Sequence, residues 1–162
     1  NLLDVLKDLS VSGLSDAEID HLNMVWHRLN PWPDSVPGLT RLKTKFILAT
    51  MSNGNVKLMV DMAKHGGLPW DMILGAEIAQ SYKPDPETYL AGCRMLRLAP
   101  EECMMVAAHN SDLVAARALG LKTAFIARPT EYGPEQKVDF KAEHDFDVIA
   151  DTMEGVADKL GC

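Results

Sequence analysis

Hydrophobic positions follow two different patterns along the chain. Up to about residue 30 they recur at helical spacing, in the series Ile19, Leu22, Trp26 and Leu29. Ser15 and Glu18 stand just before that series at the separation of a capping box, which predicts a helix start. After residue 45, short unbroken apolar runs alternate with amphipathic stretches. This alternation predicts an α/β fold with a parallel sheet that helices cover on both faces.

The apolar runs predict strands at residues 46–49, 72–74, 104–107, 123–127 and 147–149. The amphipathic stretches predict helices at residues 55–65, 86–96, 113–119 and 153–160. Prolines interrupt both patterns between residues 31 and 38 and predict a stiff connector there. We therefore expect a helical segment at residues 1–35 and an α/β domain at residues 36–162. The charged stretch at residues 131–147 is expected to be a solvated loop.

The composition of the chain argues against several classes of protein, among them nucleic-acid-binding and membrane-spanning proteins. The 162 residues are 47% hydrophobic and 24% charged, which is ordinary for a globular domain, and the net charge is −7. An acidic chain argues against a nucleic-acid partner, because phosphate binding needs clustered Lys and Arg. No apolar run approaches the roughly 18 residues that suggest a membrane span. Cys93, Cys103 and Cys162 lack a CxxC spacing, so free thiols and a cytoplasmic location are expected.

Polar residues follow the first predicted strand, where the sheet of such a fold binds ligands. Ser52 and Asn53 are expected to start a helix there, and its free N–H groups would suit an anion. A plainer interpretation is that this Ser-Asn-Gly sequence is only a turn and an N-cap.

Lys83 opens the sequence Lys83-Pro84-Asp85-Pro86 just after the second predicted strand. The two prolines restrict the backbone, so we expect the ammonium to point into the cleft. It would lie within salt-bridge reach of Asp112 or of a nucleophilic carboxylate and hold it ionised. Tyr89, one helical turn further on, either lines the same cleft or belongs to the core.

Asp112 follows the third predicted strand. Its carboxylate could bind a metal, accept a hydrogen bond from Lys83 or position a water molecule. It could equally serve as the N-cap of a helix that begins at Leu113. His109 and Asn110 flank the same mouth, although a lone histidine is more often structural than catalytic. The remaining histidines show no ligand spacing, so no metal and no other cofactor is expected.

The Ser-Asn-Gly turn, the Lys-Pro-Asp-Pro sequence and the acidic strand end resemble, in this order, the haloacid dehalogenase superfamily and its type II 2-haloacid dehalogenase branch. The resemblance implies a Rossmann-like three-layer parallel sheet and a hydrolase. In that branch an aspartate displaces halide from a small 2-haloalkanoic acid, and water hydrolyses the aspartyl ester. Ser52 and Asn53 would bind the substrate carboxylate or the halide, and Lys83 would neutralise the nucleophile. Asp112, with His109 or Asn110, would place the water.

The resemblance also has departures. The nucleophilic aspartate lies on a strand that precedes all these motifs, and no such strand is evident. Residues 1–35 would then be a remnant of the helical cap, and the chain alone should release no halide. Ala108 stands where phosphatases of the superfamily carry an aspartate, which favours the dehalogenase. The better-known dehalogenases have Ser-Ser-Asn where this chain has Ala107-Ala108-His109.

Two alternatives remain open from the sequence. The first is a metal-dependent phosphohydrolase of the same fold, and the second is a catalytically inactive binding module. For the dehalogenase, the expected partner is a small anionic substrate, with no nucleic acid and no membrane, and the chain could form a homodimer.

Overall fold

The computed structural model describes residues 2–162. The α-helices are α1 (Leu2–Asp8), α2 (Asp16–Asn23), α3 (Ser35–Leu42), α4 (Val56–Gly66), α5 (Ala76–Ala79), α6 (Pro86–Leu96), α7 (Asn110–Ala118) and α8 (Met153–Lys159). The strands are β1 (Met104–Ala107), β2 (Lys122–Ile126) and β3 (Val148–Ala150). Two 3₁₀ helices, Met24–Arg28 and Pro100–Glu102, complete the regular structure. Within residues 2–162, every helix is too short or too polar to traverse a lipid bilayer.

The three strands form one parallel sheet in the order β1-β2-β3. Met105 pairs with Thr123 in the register between β1 and β2, and Phe125 pairs with Ile149 between β2 and β3. Successive strand side chains point to opposite faces, so each strand contributes to two cores. Phe125, for example, belongs to one core and Ala124 to the other.

Helices cover both faces of the sheet, as predicted. On one face α6 and α7 supply Tyr89, Cys93, Leu113 and Ala116 to the core around Phe125. On the other face α3 and α8 supply Leu42, Val156 and Ala157 to the core around Ala124. The three-layer α/β architecture is therefore confirmed. The predicted bounds of α6 and β1 are also confirmed, whereas β2, β3 and α8 differ from prediction by about one residue at an end.

The prediction of strands at residues 46–49 and 72–74 is wrong, because neither segment forms a regular strand. The two segments run side by side in parallel, but only Ala49 and Met72 form a bridge. The side chain of Thr50 replaces part of the backbone ladder: its Oγ1 accepts from the N–H of Leu74 at 2.9 Å and donates to the Leu74 carbonyl at 3.2 Å. Ile47, in the first of these two segments, is 58% exposed.

The connector predicted at residues 31–38 is wrong in its second half, because α3 begins at Ser35. Pro37 is the third residue of that helix. A proline fits there, since the first four N–H groups of a helix have no intrahelical partner. Asp34, just before α3, is tied to the α/β domain through its Oδ2, which accepts from Arg128 at 2.9 Å and from the N–H of Met153 at 2.6 Å.

The N-terminal helical segment packs on α4. His27 contacts Asp61 at 2.7 Å, and His65 contacts Asn30 at 3.1 Å. The predicted capping box is confirmed, because the Ser15 hydroxyl accepts from the Glu18 N–H and the Glu18 carboxylate accepts from the Ser15 N–H. No residue of α1 or α2 is buried.

Candidate active site

The carboxyl ends of the parallel segments bring the predicted site residues to one edge of the sheet. Ser52 and Asn53 follow the segment that bridges to Met72, and His109 follows β1. Lys83 lies in the loop between α5 and α6, and its peptide bond to Pro84 is cis.

Asn53 holds the backbone of Lys83. Its Oδ1 accepts from the N–H of Lys83 at 2.6 Å, and its Nδ2 donates to the carbonyl of the same residue at 3.2 Å. An amide that satisfies both backbone groups of one residue fixes that residue in position and orientation. The Ser-Asn-Gly turn and the Lys-Pro-Asp-Pro sequence are therefore parts of one structure, although 30 residues separate them.

Lys83, Asp112 and Tyr89 form a compact network. The Lys83 ammonium donates to Asp112 Oδ2 at 2.7 Å, so the predicted salt bridge between them is confirmed. The Tyr89 hydroxyl donates to Asp112 Oδ1, also at 2.7 Å. The side chains of Lys83 and Asp112 are only 18% and 14% exposed. Charges this well shielded from water interact more strongly than surface charges do.

Tyr89 both belongs to the core and lines the cleft, the two positions that the sequence allowed for it. Its ring is fully buried in the core, and its hydroxyl reaches the site. The Lys83 ammonium lies 5.9 Å from the ring centroid, within reach of a cation–π interaction. Burial raises the pKa of the Tyr89 phenol, and the hydrogen bond to Asp112 raises it further. Tyr89 is thus a hydrogen-bond donor at all ordinary pH values.

The expectation that Ser52 and Asn53 start a helix is wrong. Helix α4 begins at Val56, and its N-cap is Asn55, whose side chain accepts from the N–H of Leu58 at 2.8 Å. The N–H of Val56 donates to the Glu77 carboxylate. That first-turn donor is therefore already bound. Anion binding near Ser52 has to use side chains and the turn itself.

The Ser52 side chain forms the turn and borders a small cavity. Its Oγ accepts from the N–H of Gly54 at 3.0 Å, which is the turn interaction that the plainer interpretation expected. Thr88 lines the same cavity, and its buried hydroxyl has no hydrogen-bond partner among residues 2–162. The rest of the lining is largely apolar.

Helix α7 starts earlier than predicted. It begins at Asn110 with His109 as the N-cap residue, so Asp112 is its third residue and the N-cap expectation for Asp112 is wrong. The carboxylate of Asp112 still lies in the first turn, where the helix dipole favours a negative charge. This position leaves both of its oxygens available to Lys83 and Tyr89.

His109 and Asn110 both contact the charged loop at residues 131–147. Nε2 of His109 lies 3.1 Å from each Glu131 carboxylate oxygen and 3.0 Å from the Tyr132 hydroxyl. The rings of His109 and Tyr132 stack with centroids 5.9 Å apart.

All the hydrogen-bonding groups of the Asn110 side-chain amide are bound by residues of that loop. It donates to Asp139 at 2.8 Å and to the carbonyl of Lys141, and it accepts from the N–H of Glu143 at 2.9 Å. The loop expected to be merely solvated is thus anchored beside the site. The sequence offered no signal for Glu131 or Tyr132, because their separation from His109 carries no periodicity.

The donor set does not suit a divalent metal. Mg²⁺ binds several carboxylate or carbonyl oxygens. Asp112 already accepts from an ammonium and a phenol, and Ala108 has no ligand atom. Within residues 2–162, no three His, Cys, Asp or Glu side chains are arranged to hold a metal ion.

Comparison with known proteins agrees with this geometry. The profile of the haloacid dehalogenase-like hydrolases matches residues 3–120, which is more than half of the chain. The chain belongs to this family. Within the family, it falls in the 2-haloacid dehalogenase branch. The crystal structure of the L-2-haloacid dehalogenase PA0810 superposes with a TM-score of 0.94 at 51% identity, and the match covers 99% of this chain and 68% of that one.

Curated relatives include dehalogenases and phosphatases. The (S)-2-haloacid dehalogenase of Xanthobacter autotrophicus is 27% identical over 124 residues, which are 74% of this chain and 49% of that protein. The putative pyrophosphatase PpaX of Clostridium perfringens is 28% identical over 118 residues, or 64% of this chain and 55% of that protein. The chain thus spans about half the length of the curated relatives that it matches.

Proposed function

We propose that the protein containing this chain is a 2-haloacid dehalogenase, which removes halide hydrolytically from a small 2-haloalkanoic acid. The observation that carries the proposal is the network of Lys83, Asp112 and Tyr89 at the carboxyl edge of the sheet. A shielded ammonium at that edge can stabilise a carboxylate that attacks carbon and the anions that form as halide leaves. The similarity to PA0810 over nearly the whole chain supports the same reaction class.

In this proposal each site residue has a distinct role. Lys83 keeps the nucleophilic carboxylate ionised, and Asp112 with Tyr89 fixes the position of the ammonium. Asn53 holds the Lys83 backbone, and Ser52 binds the substrate carboxylate with its hydroxyl. The nucleophile is an aspartate that this chain does not supply in any recognisable position. The reaction proceeds through an aspartyl ester, which divides a difficult displacement into two easier steps.

A phosphohydrolase is the second candidate, and the similarity to PpaX favours it. Phosphoryl transfer in such enzymes relies on a divalent cation to neutralise the phosphate oxygens. The Ala108 side chain and the occupied Asp112 carboxylate do not suit that cation. The dehalogenase is therefore the better-supported activity.

The test uses a chimera that joins this chain to the part of PA0810 that the match leaves uncovered. We expect it to release chloride from 2-chloropropionate, and to keep that activity after exhaustive chelation. Lys83→Met should lower chloride release by at least about 100-fold, because a partly buried cation beside the reacting carboxylate is lost. Lys57→Met is the matched control, since the Lys57 side chain is 72% exposed and, within residues 2–162, forms an ion pair with Asp61 alone.

Two results would contradict the proposal. A chimera that folds but hydrolyses p-nitrophenyl phosphate only with added Mg²⁺, and releases no chloride, would favour the phosphohydrolase. A folded chimera that does neither would favour the binding module. The 162-residue chain by itself should bind 2-chloropropionate near Ser52, visible as amide shifts in NMR spectra, without releasing chloride.

The remaining proposals concern organisation and location. The three free thiols support a reducing, cytoplasmic compartment. Pro31 and Pro33, which precede α3, support a boundary near residue 35 between residues 1–35, as part of a cap, and residues 36–162, as the core domain. Exposed Leu3, Val5 and Trp26 supply apolar surface for a homodimer, which sedimentation of the chimera would test.

A further inference from the structure

We infer that Thr88 is a positioning residue for Ser52, and that the two hydroxyls share one buried water molecule in the cavity that both residues line. The inference rests on the proposed function in one respect, which is that Ser52 binds the substrate carboxylate. It goes beyond that function by giving a role to a residue that does not touch the substrate. The observation that carries it is an unpaired hydroxyl at the wall of a water-sized cavity.

The Thr88 hydroxyl is an exception among the buried polar groups. Thr88 is only 5% exposed, and its Oγ1 is the one buried side-chain nitrogen or oxygen without a hydrogen-bond partner in residues 2–162. A threonine within a helix often donates to the carbonyl three or four residues earlier. Thr88 is the third residue of α6, so those carbonyls belong to Pro84 and Asp85 before the helix, and the hydroxyl bonds to neither. Because an unpaired buried hydroxyl destabilises a fold, we expect its partner inside the cavity.

The cavity beside Thr88 suits one water molecule. Its free space is about that of a single water, and the lining includes the side chains of Ser52 and Thr88. The other lining side chains are apolar, among them Met51, Leu74 and Ile78. A buried water needs at least two polar partners, and the two hydroxyls supply them. An ion is disfavoured there, because no charged side chain among residues 2–162 lines the cavity.

Ser52 has hydrogen-bonding capacity left for this water. A hydroxyl offers one hydrogen and two lone pairs, and one lone pair of Ser52 Oγ already accepts from the Gly54 N–H at 3.0 Å. The water accepts from the Thr88 hydroxyl and donates to the second lone pair of Ser52. With both lone pairs occupied, the Ser52 hydroxyl can only donate, and its hydrogen is directed to the substrate carboxylate in the cleft. A chain of hydrogen bonds of this kind also strengthens each bond along it.

Gly92 keeps the cavity open. It lies four residues after Thr88, so both residues are on the same face of α6. A Cβ at Gly92 would lie 2.5 Å from Cε of Met51 and 3.4 Å from Cδ1 of Leu74, and both of these side chains line the cavity. A glycine in the middle of a helix lowers the stability of the helix relative to alanine. The chain thus keeps a residue that is unfavourable for α6 at a position where a side chain would collide with the cavity wall.

Steady-state kinetics of the chimera with 2-chloropropionate test the role of Thr88. Thr88→Val keeps the branched shape of the side chain and removes the hydroxyl. The KM should rise about fivefold, as for the loss of one neutral hydrogen bond. The kcat should stay within about twofold of the parent value, because Ser52 holds the carboxylate equally well in the ground state and in the transition state.

Two matched variants accompany Thr88→Val. Thr88→Ser keeps the hydroxyl and should keep the KM near that of the parent. Thr40→Val removes a hydroxyl from an exposed position on α3, where Thr40 donates to the Val36 carbonyl at 2.8 Å, and should leave the KM unchanged.

Two further variants show whether Thr88 acts through Ser52 and through the cavity. In a Ser52→Ala background, Thr88→Val should raise the KM no further, because the group that it positions is gone. Gly92→Ala reduces the space for the water and should raise the KM by a similar factor without altering either hydroxyl. An unchanged KM in Thr88→Val, an equal rise in Thr88→Ser, or a further fivefold rise in the Ser52→Ala background would overturn the inference.

Two measurements on the 162-residue chain test the water without any turnover. NMR spectra should show a nuclear Overhauser contact between the Thr88 methyl group and a long-lived water, and Thr88→Val should lack a contact of this kind. The urea midpoint of Thr88→Val should fall, since a hydroxyl with a partner is lost, whereas removing an unpaired hydroxyl would raise it. A raised midpoint, or no water contact in the parent, would overturn the inference. A parent chimera that releases no chloride would instead count against the proposed function, so the two failures are distinguishable.

Discussion

The carboxyl edge of the sheet and the N-terminal helical segment are built on opposite principles. At the carboxyl edge, Lys83, Tyr89 and Asp112 come from different elements and meet in a shielded network. In the N-terminal segment the hydrogen bonds are mostly local, as in the Ser15–Glu18 capping box, and no residue of α1 or α2 is buried. Stability and chemistry are therefore concentrated where distant parts of the sequence converge.

The largest expected contrast is between a core and a surface aromatic. Phe125→Ala should destabilise the chain by about 3–5 kcal/mol, because it leaves a cavity in a side-chain cluster whose centre is inaccessible to water. Phe125 is 1% exposed, whereas Trp26 is 61% exposed. Trp26→Ala should cost less than about 1 kcal/mol. Urea unfolding monitored by circular dichroism measures both, and similar losses would show that the two regions do not differ as described.

Breaking the ion pair at the site should have the next largest effect. Lys83→Met leaves the Asp112 carboxylate shielded without its cation and should cost about 2 kcal/mol, below the 3–5 kcal/mol of a fully buried pair. Asp112→Asn in the same background should add little, because the partner is already gone. A double-mutant cycle with urea unfolding measures this coupling. Strictly additive losses would mean that the pair contributes nothing specific.

Removing one hydroxyl from the network should have a smaller effect. Tyr89→Phe keeps the buried ring and deletes the donor to Asp112 Oδ1, so the expected loss is about 1 kcal/mol. Tyr82→Phe is the control, because the Tyr82 side chain is 65% exposed. A Tyr89→Phe variant as stable as the parent would show that the hydroxyl serves the site and not the fold.

Acid should weaken the junction between the two regions. Burial alone would raise the pKa of Asp34, but hydrogen bonds from the Met153 N–H and Arg128 hold it below its ordinary value. A carboxyl whose pKa is lower in the folded state stabilises the fold above its unfolded pKa, and this contribution is lost as the pH falls through the folded pKa. Unfolding free energies measured from pH 6 to pH 2 should therefore decline less steeply in Asp34→Asn.

The exposed Asp16→Asn is the control for that series. This substitution should leave the decline of the unfolding free energy between pH 6 and pH 2 unchanged. If the unfolding free energy of Asp34→Asn declines with acid as steeply as that of the parent, Asp34 is not the group whose protonation weakens the fold.

The smallest global effect is expected in the N-terminal segment. Ser15→Ala removes a cap that is worth about 1 kcal/mol to its own helix. Because α2 has no buried residue, the loss should stay local. Amide hydrogen exchange should quicken within residues 16–23 and remain unchanged in β1 and β2. A matching shift in the urea midpoint would indicate that α2 unfolds together with the α/β domain.

Several features followed from the sequence because they depend on neighbouring residues. Pro86 at a helix start and the length of the amphipathic stretch were enough to define α6, and four apolar residues were enough to define β1. The pairing of Lys83 with Asp112 followed because parallel strands end at the same edge. The order of the motifs along the chain was enough to indicate the family.

Other features depended on contacts that only the tertiary structure provides. Residues 46–49 have the composition of a strand, yet a regular strand requires a backbone ladder from its neighbours, and here the Thr50 side chain replaces part of it. Helix α3 was not predicted because Pro37 was interpreted as part of a connector. A first helical turn accepts a proline without losing a hydrogen bond.

The surroundings of His109 were likewise decided by the fold. Glu131 lies in the loop after β2, 22 residues from His109, so no local rule could place the two side chains together. The sequence by itself determined the layered α/β architecture and the polar groups at its edge, since both arise from local patterning. The tertiary structure alone decided which neighbours bind those groups, since hydrogen-bond partners come from any part of the chain.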